Sequence, residues 1–142
     1  MKVIIINGPN LNLLGTREPE IYGSDTLENI QKEVNSNFTE LKLTWHQSNL
    51  EGEIVSLIQQ ANKAYDAIVI NPAGYSHTSV SILDALSMLN IPIVEVHLSN
   101  VYKREDFRST MLTAKASDAL IAGCGKEGYS LALKYIMQLK RN

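Results

Sequence analysis

The feature that most constrains the fold of this chain is an alternation of short apolar runs with longer amphipathic segments. Five apolar runs occur along the sequence, at residues 2–7, 41–47, 67–73, 91–99 and 118–124. Four of them are rich in Ile, Val, Leu and Ala with little alternation, which is typical of strands buried on both faces of a parallel sheet. The second run, LKLTWHQ, alternates apolar and polar residues and therefore predicts a half-exposed edge strand.

Segments with helical periodicity separate these runs. Apolar residues recur on one stripe in residues 26–38, 51–64, 78–89 and 127–140, and a weaker amphipathic pattern covers 104–115. Thr26 is placed to cap the first of these helices. Strands that alternate with helices predict a parallel sheet joined by right-handed crossovers. We therefore expect one α/β domain over residues 1–142, with a flavodoxin-like five-stranded parallel sheet of order 2-1-3-4-5 and helices on both faces.

Composition narrows the classes of protein that this chain can belong to. Hydrophobic residues make up 44% and charged residues 20% of 142 residues, and the net charge is −2. This balance is ordinary for a globular domain and predicts no basic surface for nucleic acid. The single cysteine, Cys124, permits no internal disulfide and favours a cytoplasmic location. No apolar stretch approaches the length of a membrane span, so we expect no membrane partner.

Polar residues concentrate where three of the predicted strands end. In parallel sheets of this kind, ligands bind beyond the carboxyl ends of the strands. The first strand leads into NGPNLNLLGTREPEIYG (7–23), the third into NPAGYSHTS (71–79), and the fourth into EVHLSN (95–100) with FRS at 107–109. We expect nine of these residues to face one cleft: Asn10, Asn12, Arg17, Tyr22, Asn71, His77, His97, Ser99 and Arg108.

The segment after the first strand excludes several common chemistries. It contains neither GxGxxG nor GxxxxGK[ST], so it predicts no dinucleotide or NTP phosphate site there. The chain has no GxSxG, and Asn71 stands where a receiver domain carries its phospho-accepting carboxylate. The three histidines do not show metal-ligand spacing. We therefore expect neither a metal nor a cofactor.

One long loop carries a candidate base. Arg17 lies five residues before Tyr22, between Gly15 and Gly23. A nearby guanidinium stabilises a phenolate, and lowering a tyrosine pKa of about 10 by about 3 units needs about 4 kcal/mol. This pairing favours a tyrosine base on a catalytic lid that moves at its glycines. The same residues also fit a packed tyrosine and an arginine paired with a neighbouring glutamate, and composition does not separate the two interpretations.

Several motifs, taken in order, resemble those of one enzyme family over essentially the whole chain. They are NGPNLNLLGTREPEIYG, QSNLEGE (47–53), NPAGYSHTS, EVHLSN and EDFRS (105–109), and they resemble the type II 3-dehydroquinate dehydratases. The resemblance implies an anti elimination of water from 3-dehydroquinate to 3-dehydroshikimate through an enolate intermediate, in the shikimate pathway and without cofactor. It also implies that Tyr22 is the base, Arg17 lowers its pKa, His97 is the general acid and Asn10 holds a water at the enolate oxygen.

The resemblance further implies how the substrate is bound. Leu98 and Ser99 would offer backbone N–H groups to the substrate carboxylate, an arrangement suited to anions. The residues that match substrate-binding positions are Asn71, His77, Asp84, Leu98, Ser99 and Arg108. Asp84 matches a position that reaches a neighbouring subunit's site, and members of the family are typically dodecamers built from four trimers. We therefore expect a homododecamer, and leave Glu53 open between orienting loop groups and capping the second helix.

The chain departs from the family pattern at three places. Ala73-Gly74 stands where many members read Gly-Ala, and Ser76 where Thr is common. Leu83 stands where many members carry an arginine, which bears on a salt bridge between subunits and not on the chemistry.

Two other functions fit parts of the sequence. A non-catalytic flavodoxin-like module that binds small anions would need Ser99 and Arg108 but not Tyr22. The same dehydration could also serve quinate breakdown. A Schiff-base dehydroquinase needs a lysine nucleophile, and no lysine falls on the strand-end motifs.

Overall fold

Five parallel strands form a single sheet in this computed structural model, which describes residues 1–16 and 18–139 and, for Tyr22, the backbone without the side chain. The strands of the described chain are β1 (Lys2–Asn7), β2 (Lys42–Gln47), β3 (Ala67–Asn71), β4 (Ile93–His97) and β5 (Ala119–Ala122). Their order is β2-β1-β3-β4-β5, and every pairing is parallel. The predicted strand order and the edge position of the second strand are confirmed.

Helices cover both faces of this sheet. They are α1 (Pro19–Tyr22), α2 (Leu27–Asn37), α3 (Glu51–Ala64), α4 (Val80–Ser87) and α5 (Glu127–Leu139). Alternate residues of a strand point to opposite faces. Val3 and Ile5 of β1 accordingly join one buried cluster with α2 and α5, whereas Ile4 and Ile6 join another with α3 and α4. The apolar runs of β1, β3 and β4 are thus strands buried from both sides. The same prediction is wrong for β5, which is the other edge strand of the sheet and leaves Leu120 exposed.

The helix predicted over residues 104–115 is wrong. Two short 3-10 helices occupy this region instead, at Asp106–Ser109 and Thr113–Ala116, and a third, Val101–Lys103, precedes it. Glu105, with φ −60° and ψ 144°, is extended and interrupts any continuous helix. Backbone groups in the segment also bind distant partners, as when the Leu112 N–H donates to the Ser76 carbonyl oxygen at 2.8 Å. Long-range hydrogen bonds therefore override a weak amphipathic pattern.

Local signals set two helix starts correctly. The Thr26 hydroxyl accepts from the Asn29 N–H at 3.1 Å, which confirms the predicted cap of α2. Ser79 caps α4 in the same way, accepting from the Ile82 N–H at 3.0 Å. Between Gly15 and Gly23, where a loop was expected, the chain forms the single helical turn α1.

Close approach of α5 to the sheet depends on one glycine. A Cβ at Gly128 would lie 2.9 Å from Cγ1 of Val96 in β4. The glycine therefore lets the start of α5 pack directly on β4, the strand that ends in the candidate site. Among the described residues, no helix combines the length and apolar character that a membrane span requires.

Candidate active site

The carboxyl ends of β1, β3 and β4 enclose a cleft of about 120 Å³. Register explains the convergence, because Asn7 pairs with Asn71 and the loops after both strands leave the sheet at the same edge. Seven of the predicted site residues line this cleft: Asn10, Asn71, His77, His97, Leu98, Ser99 and Arg108.

A buried histidine–carboxylate pair lies at the end of β4. Glu95 and His97 are two residues apart, so they share one face of the strand. The imidazole Nε2 of His97 lies 2.7 Å from Oε1 of Glu95, and the side chain of Glu95 is completely buried. An ionised carboxylate only accepts hydrogen bonds, so Nε2 carries a proton and Nδ1 is the ring nitrogen left for the cleft. Such a carboxylate orients an imidazole and stabilises its positive charge.

The second oxygen of Glu95 is held from another part of the chain. The Thr113 hydroxyl, also fully buried, donates to Oε2 of Glu95 at 2.8 Å. Buried carboxylates are tolerated when hydrogen bonds compensate for lost water. Both oxygens of Glu95 thus have a donor, which holds the carboxylate against His97.

His77 faces His97 across the cleft. The ring centroids are 6.4 Å apart, and Nδ1 of His77 lies 2.8 Å from the carbonyl oxygen of Thr110. Because a carbonyl only accepts, Nδ1 carries the proton and Nε2 of a neutral ring is an acceptor. Burial, together with the nearby His97 and Arg108, lowers the pKa of His77 below its usual range. His77 is therefore suited to accept a hydrogen bond from a substrate hydroxyl at neutral pH.

Arg108 supplies positive charge to the cleft. Its Nε donates to Oε2 of Glu105 at 2.6 Å, and its guanidinium carbon lies 5.1 Å from the centre of the Phe107 ring. The hydrogen bond from Arg108 lowers the pKa of Glu105. These contacts orient the guanidinium and leave its terminal nitrogens for an anion or hydroxyl.

Backbone amides at the end of β4 add an anion-binding element. Neither the Leu98 nor the Ser99 N–H donates to a protein acceptor within the described part of the chain, and both residues line the cleft. The Leu98 carbonyl group is held in place, because the Gly125 N–H donates to its oxygen at 3.0 Å. Adjacent free N–H groups of this kind bind carboxylates well.

Asn10 is held in the cleft by residues that the sequence analysis did not single out. Its φ of 70° lies in the left-handed region, which Asn tolerates better than most residues. Its N–H donates to Oδ1 of Asn49 at 3.0 Å, and the Gln47 side chain donates to the same oxygen at 3.1 Å. The Tyr75 hydroxyl in turn donates to the Asn49 carbonyl oxygen at 2.9 Å.

A buried polar network supports the turn that follows β3. The Tyr129 hydroxyl donates to Oδ1 of Asn7 and lies 3.5 Å from Nδ2 of Asn71. Oδ1 of Asn71 accepts from the Ala73 N–H at 3.1 Å. Ala73 has φ 53°, a left-handed conformation that costs alanine about 1–2 kcal/mol. The Asn71 side chain stabilises this strained position.

Other predicted residues lie elsewhere or outside the description. Asn12 is exposed and does not line the cleft, so its predicted place there is wrong. Asp84 is exposed on α4, away from the cleft of its own chain. Arg17 and the side chain of Tyr22 lie outside the described residues. Glu53 accepts from the Ser48 hydroxyl at 2.8 Å and so orients the loop after β2.

Three further contributors to the site escaped sequence reasoning. Glu95 could have been found from the sequence. It is a carboxylate within an apolar run, and it stands two residues before His97, so both side chains lie on the same face of the strand. Thr113 and Tyr129 had no such signal, since their partners lie 18 and 122 residues away. Within residues 1–16 and 18–139, no three His, Cys, Asp or Glu side chains form a group able to hold a metal ion.

Several known proteins are similar to this chain in sequence and in fold. The model of dehydroquinase class II matches residues 1–137. The 3-dehydroquinate dehydratase of Clostridium botulinum strain Hall is 54% identical over 95% of this chain and 93% of its own length. That of Bartonella henselae is 53% identical over 97% and 95%. The crystal structure of a type II dehydroquinase from Butyrivibrio crossotus superposes with a TM-score of 0.93, at 41% identity, over 96% of this chain and 97% of that one. With a family model and relatives spanning nearly its whole length, the chain belongs to the class II dehydroquinases.

Proposed function

We propose that this cleft removes water from 3-dehydroquinate to give 3-dehydroshikimate, with His97 as the general acid. The chain is a hydro-lyase of the shikimate pathway, as its family and its relatives' names support. The observation that carries the assignment of the acid is the buried Glu95–His97 pair at the cleft, 2.7 Å between Nε2 and Oε1. A departing hydroxyl needs a proton, and an imidazolium held by a carboxylate supplies one.

Protonation of the leaving group follows from the ring orientation. Glu95 binds Nε2, so the proton transferred to the substrate hydroxyl leaves from Nδ1 of His97. The negative carboxylate stabilises the imidazolium before transfer, and the neutral ring that remains keeps its Nε2–H bond to Glu95. His97 is thus oriented throughout the cycle and needs no metal to activate the hydroxyl.

Substrate recognition uses complementary charge and hydrogen bonds. The carboxylate of 3-dehydroquinate binds the free N–H groups of Leu98 and Ser99, with Asn71 beside them at the cleft wall. Arg108 and neutral His77 bind ring hydroxyls, the first as a donor and the second as an acceptor. This division of roles follows from the protonation of each group.

Removal of the C2 proton belongs to the loop that carries Arg17 and Tyr22. Tyr22 is the base, and the Arg17 guanidinium stabilises its phenolate. Asn10 holds a water against the enolate oxygen that develops, a role that electrostatic stabilisation of the transition state requires. The assignment of these three residues rests on their match to the family motif.

The proposal also covers the assembly of the enzyme and its location in the cell. The enzyme works as a homododecamer of four trimers in the cytoplasm, with Asp84 reaching the site of a neighbouring subunit. Its exposure on α4, away from its own cleft, is consistent with a contact made between chains. Analytical ultracentrifugation of wild type and Asp84→Asn, alongside kinetics, separates an effect on assembly from one on substrate binding.

The test of the reaction is a direct assay. Purified protein is mixed with 3-dehydroquinate in buffer containing EDTA, and the absorbance of the conjugated product is followed. Wild type produces the absorbance rise, whereas Tyr22→Phe and His97→Gln lower kcat by orders of magnitude while remaining folded. Near-normal turnover by either variant would remove that residue from its role.

The competing function is a non-catalytic module that binds small anions. No product from folded, assembled wild type would favour it, and thermal stabilisation by small carboxylates would then identify the ligand. Sodium borohydride with substrate should leave activity intact, because the mechanism uses no lysine Schiff base.

A further inference from the structure

One short segment contacts the partners of both cleft histidines. Residues 110–113 run from the end of the 3-10 helix Asp106–Ser109 to the first residue of the 3-10 helix Thr113–Ala116. The Thr110 carbonyl oxygen lies 2.8 Å from Nδ1 of His77. Three residues later, the Thr113 hydroxyl donates to Oε2 of Glu95 at 2.8 Å. Neither threonine lines the cleft.

The segment is itself anchored between these two contacts. The Leu112 N–H donates to the Ser76 carbonyl oxygen at 2.8 Å. Ser76 lies next to His77 in the 3-10 helix Ala73–His77. The position of the segment is therefore tied to the element that carries one histidine, and its far end reaches the carboxylate that holds the other.

We propose that Thr113 is a positioning residue for His97, acting through Glu95, and that segment 110–113 selects the ring nitrogen that each histidine presents. The Thr110 carbonyl oxygen keeps the proton of His77 on Nδ1 and presents Nε2. The Thr113 hydroxyl keeps Glu95 against Nε2 of His97 and presents Nδ1. The consequence for catalysis rests on the proposed role of His97 as general acid.

Because Glu95 is buried, its carboxylate depends on the hydrogen bond from the Thr113 hydroxyl. Glu95 is inaccessible to solvent, and among the described residues Thr113 is the one donor to its Oε2. Without that hydroxyl the oxygen has no partner, so the carboxylate rotates toward other donors or takes up a proton. Either change weakens the contact with Nε2 of His97 and frees the ring to turn.

The kinetic test compares two substitutions, one that removes the hydroxyl and one that keeps it. Thr113→Val keeps the branched shape and removes the hydroxyl, and Thr113→Ser keeps the hydroxyl. We expect Thr113→Val to lower kcat about tenfold or more, with KM changed less than about threefold, and Thr113→Ser to restore kcat. Ser117→Ala controls for loss of a buried hydroxyl without a partner and should keep wild-type kinetics.

A spectroscopic readout reports the ring directly. Protein labelled with 15N in its three histidines gives few ring signals, and magic-angle spinning records them at any particle size. The His97 signals are assigned by their loss in His97→Gln. Wild type should show His97 protonated at Nε2, and Thr113→Val should add a second set of signals with the proton on Nδ1.

The outcomes separate this inference from the proposed function. Unchanged His97 signals and kcat in Thr113→Val would overturn the positioning role, as would a neutral wild-type ring protonated on Nδ1 alone. Changed signals together with full activity of His97→Gln would retain the positioning and refute His97 as the acid. If Thr113→Val does not fold, Thr113→Ala is judged by the same two criteria.

Discussion

The hydroxyl of Tyr129 is a single group whose removal should be measurable in the stability of the whole chain. Tyr129 is fully buried at the start of α5, and its hydroxyl donates to Oδ1 of Asn7, which is also fully buried. It accepts from Nδ2 of Asn71 at 3.5 Å, a length at which a hydrogen bond is weak. The bond to Asn7 therefore dominates its contribution.

The size of the loss follows from what Tyr129→Phe leaves behind. The ring stays in place, so little apolar packing changes. Oδ1 of Asn7 loses its donor in a site without water access, which costs about 1–3 kcal/mol. We expect a loss near ~2 kcal/mol in the free energy of unfolding, and a melting temperature lower by about 6 °C for a chain of this length.

Tyr135→Phe on the same helix is the matched control. Tyr135 is half-buried against the same core, and its hydroxyl has no hydrogen-bond partner among the described residues. Urea unfolding of wild type and both variants at equal protein concentration gives the comparison, since assembly makes stability depend on concentration. Tyr135→Phe should stay within about 0.5 kcal/mol of wild type.

The pH dependence of the free energy of unfolding gives a second test of this prediction. Burial raises the pKa of Tyr129 above its ordinary value, so the folded chain keeps its proton where the unfolded chain loses it. The stability from this group is fully present below the unfolded pKa of about 10 and declines above it. The difference between wild type and Tyr129→Phe should therefore be about 1.4 kcal/mol smaller at pH 11 than at pH 8. A difference that stays constant with pH, or that matches Tyr135→Phe, would refute the reasoning.

Three further substitutions test local features of the fold by the same urea titration. Ser76→Ala should leave the free energy of unfolding unchanged or slightly raised, because the Ser76 hydroxyl is buried without a partner among the described residues. Ser79→Ala should lower it by about 1 kcal/mol, because the α4 cap is lost. Equal effects of the two substitutions would contradict this contrast. Gly128→Ala should lower stability by about 1–3 kcal/mol, because its Cβ would lie 2.9 Å from Val96 Cγ1. An unchanged midpoint in Gly128→Ala would show that α5 can shift away from β4 at little cost.

The sequence predicted the sheet and the edge at which the site lies because both depend on patterns local to the chain. Apolar runs without alternation identified the inner strands β1, β3 and β4, and the alternation of LKLTWHQ identified the edge strand β2. The same apolar pattern did not reveal that β5 is the other edge strand, because its neighbours are decided by the order of strands in the sheet. Once the strands are parallel and in this order, their carboxyl ends meet at one edge. His77, His97 and Arg108 could therefore be assigned to one cleft before their coordinates were known.

The sequence motifs predicted chemical roles for individual residues, which hydrophobic periodicity alone cannot do. A tyrosine in a loop or a histidine at a strand end is chemically ambiguous alone. The order and spacing of five motifs connected them to one family and one reaction. The sequence also predicted the cap Thr26, because a cap bonds a residue three positions away.

Tertiary structure alone decided which nitrogen each histidine presents and what holds it. Thr113 reaches Glu95 across 18 residues, and Tyr129 reaches Asn7 across 122, so neither pair leaves a periodic signal in the chain. Another long-range bond, from the Leu112 N–H to the Ser76 carbonyl oxygen, opposes a continuous helix over 104–115. Local patterns determine where strands and helices form. The partners of buried polar groups depend on which segments the completed fold brings within about 3 Å, and only the folded chain contains that information.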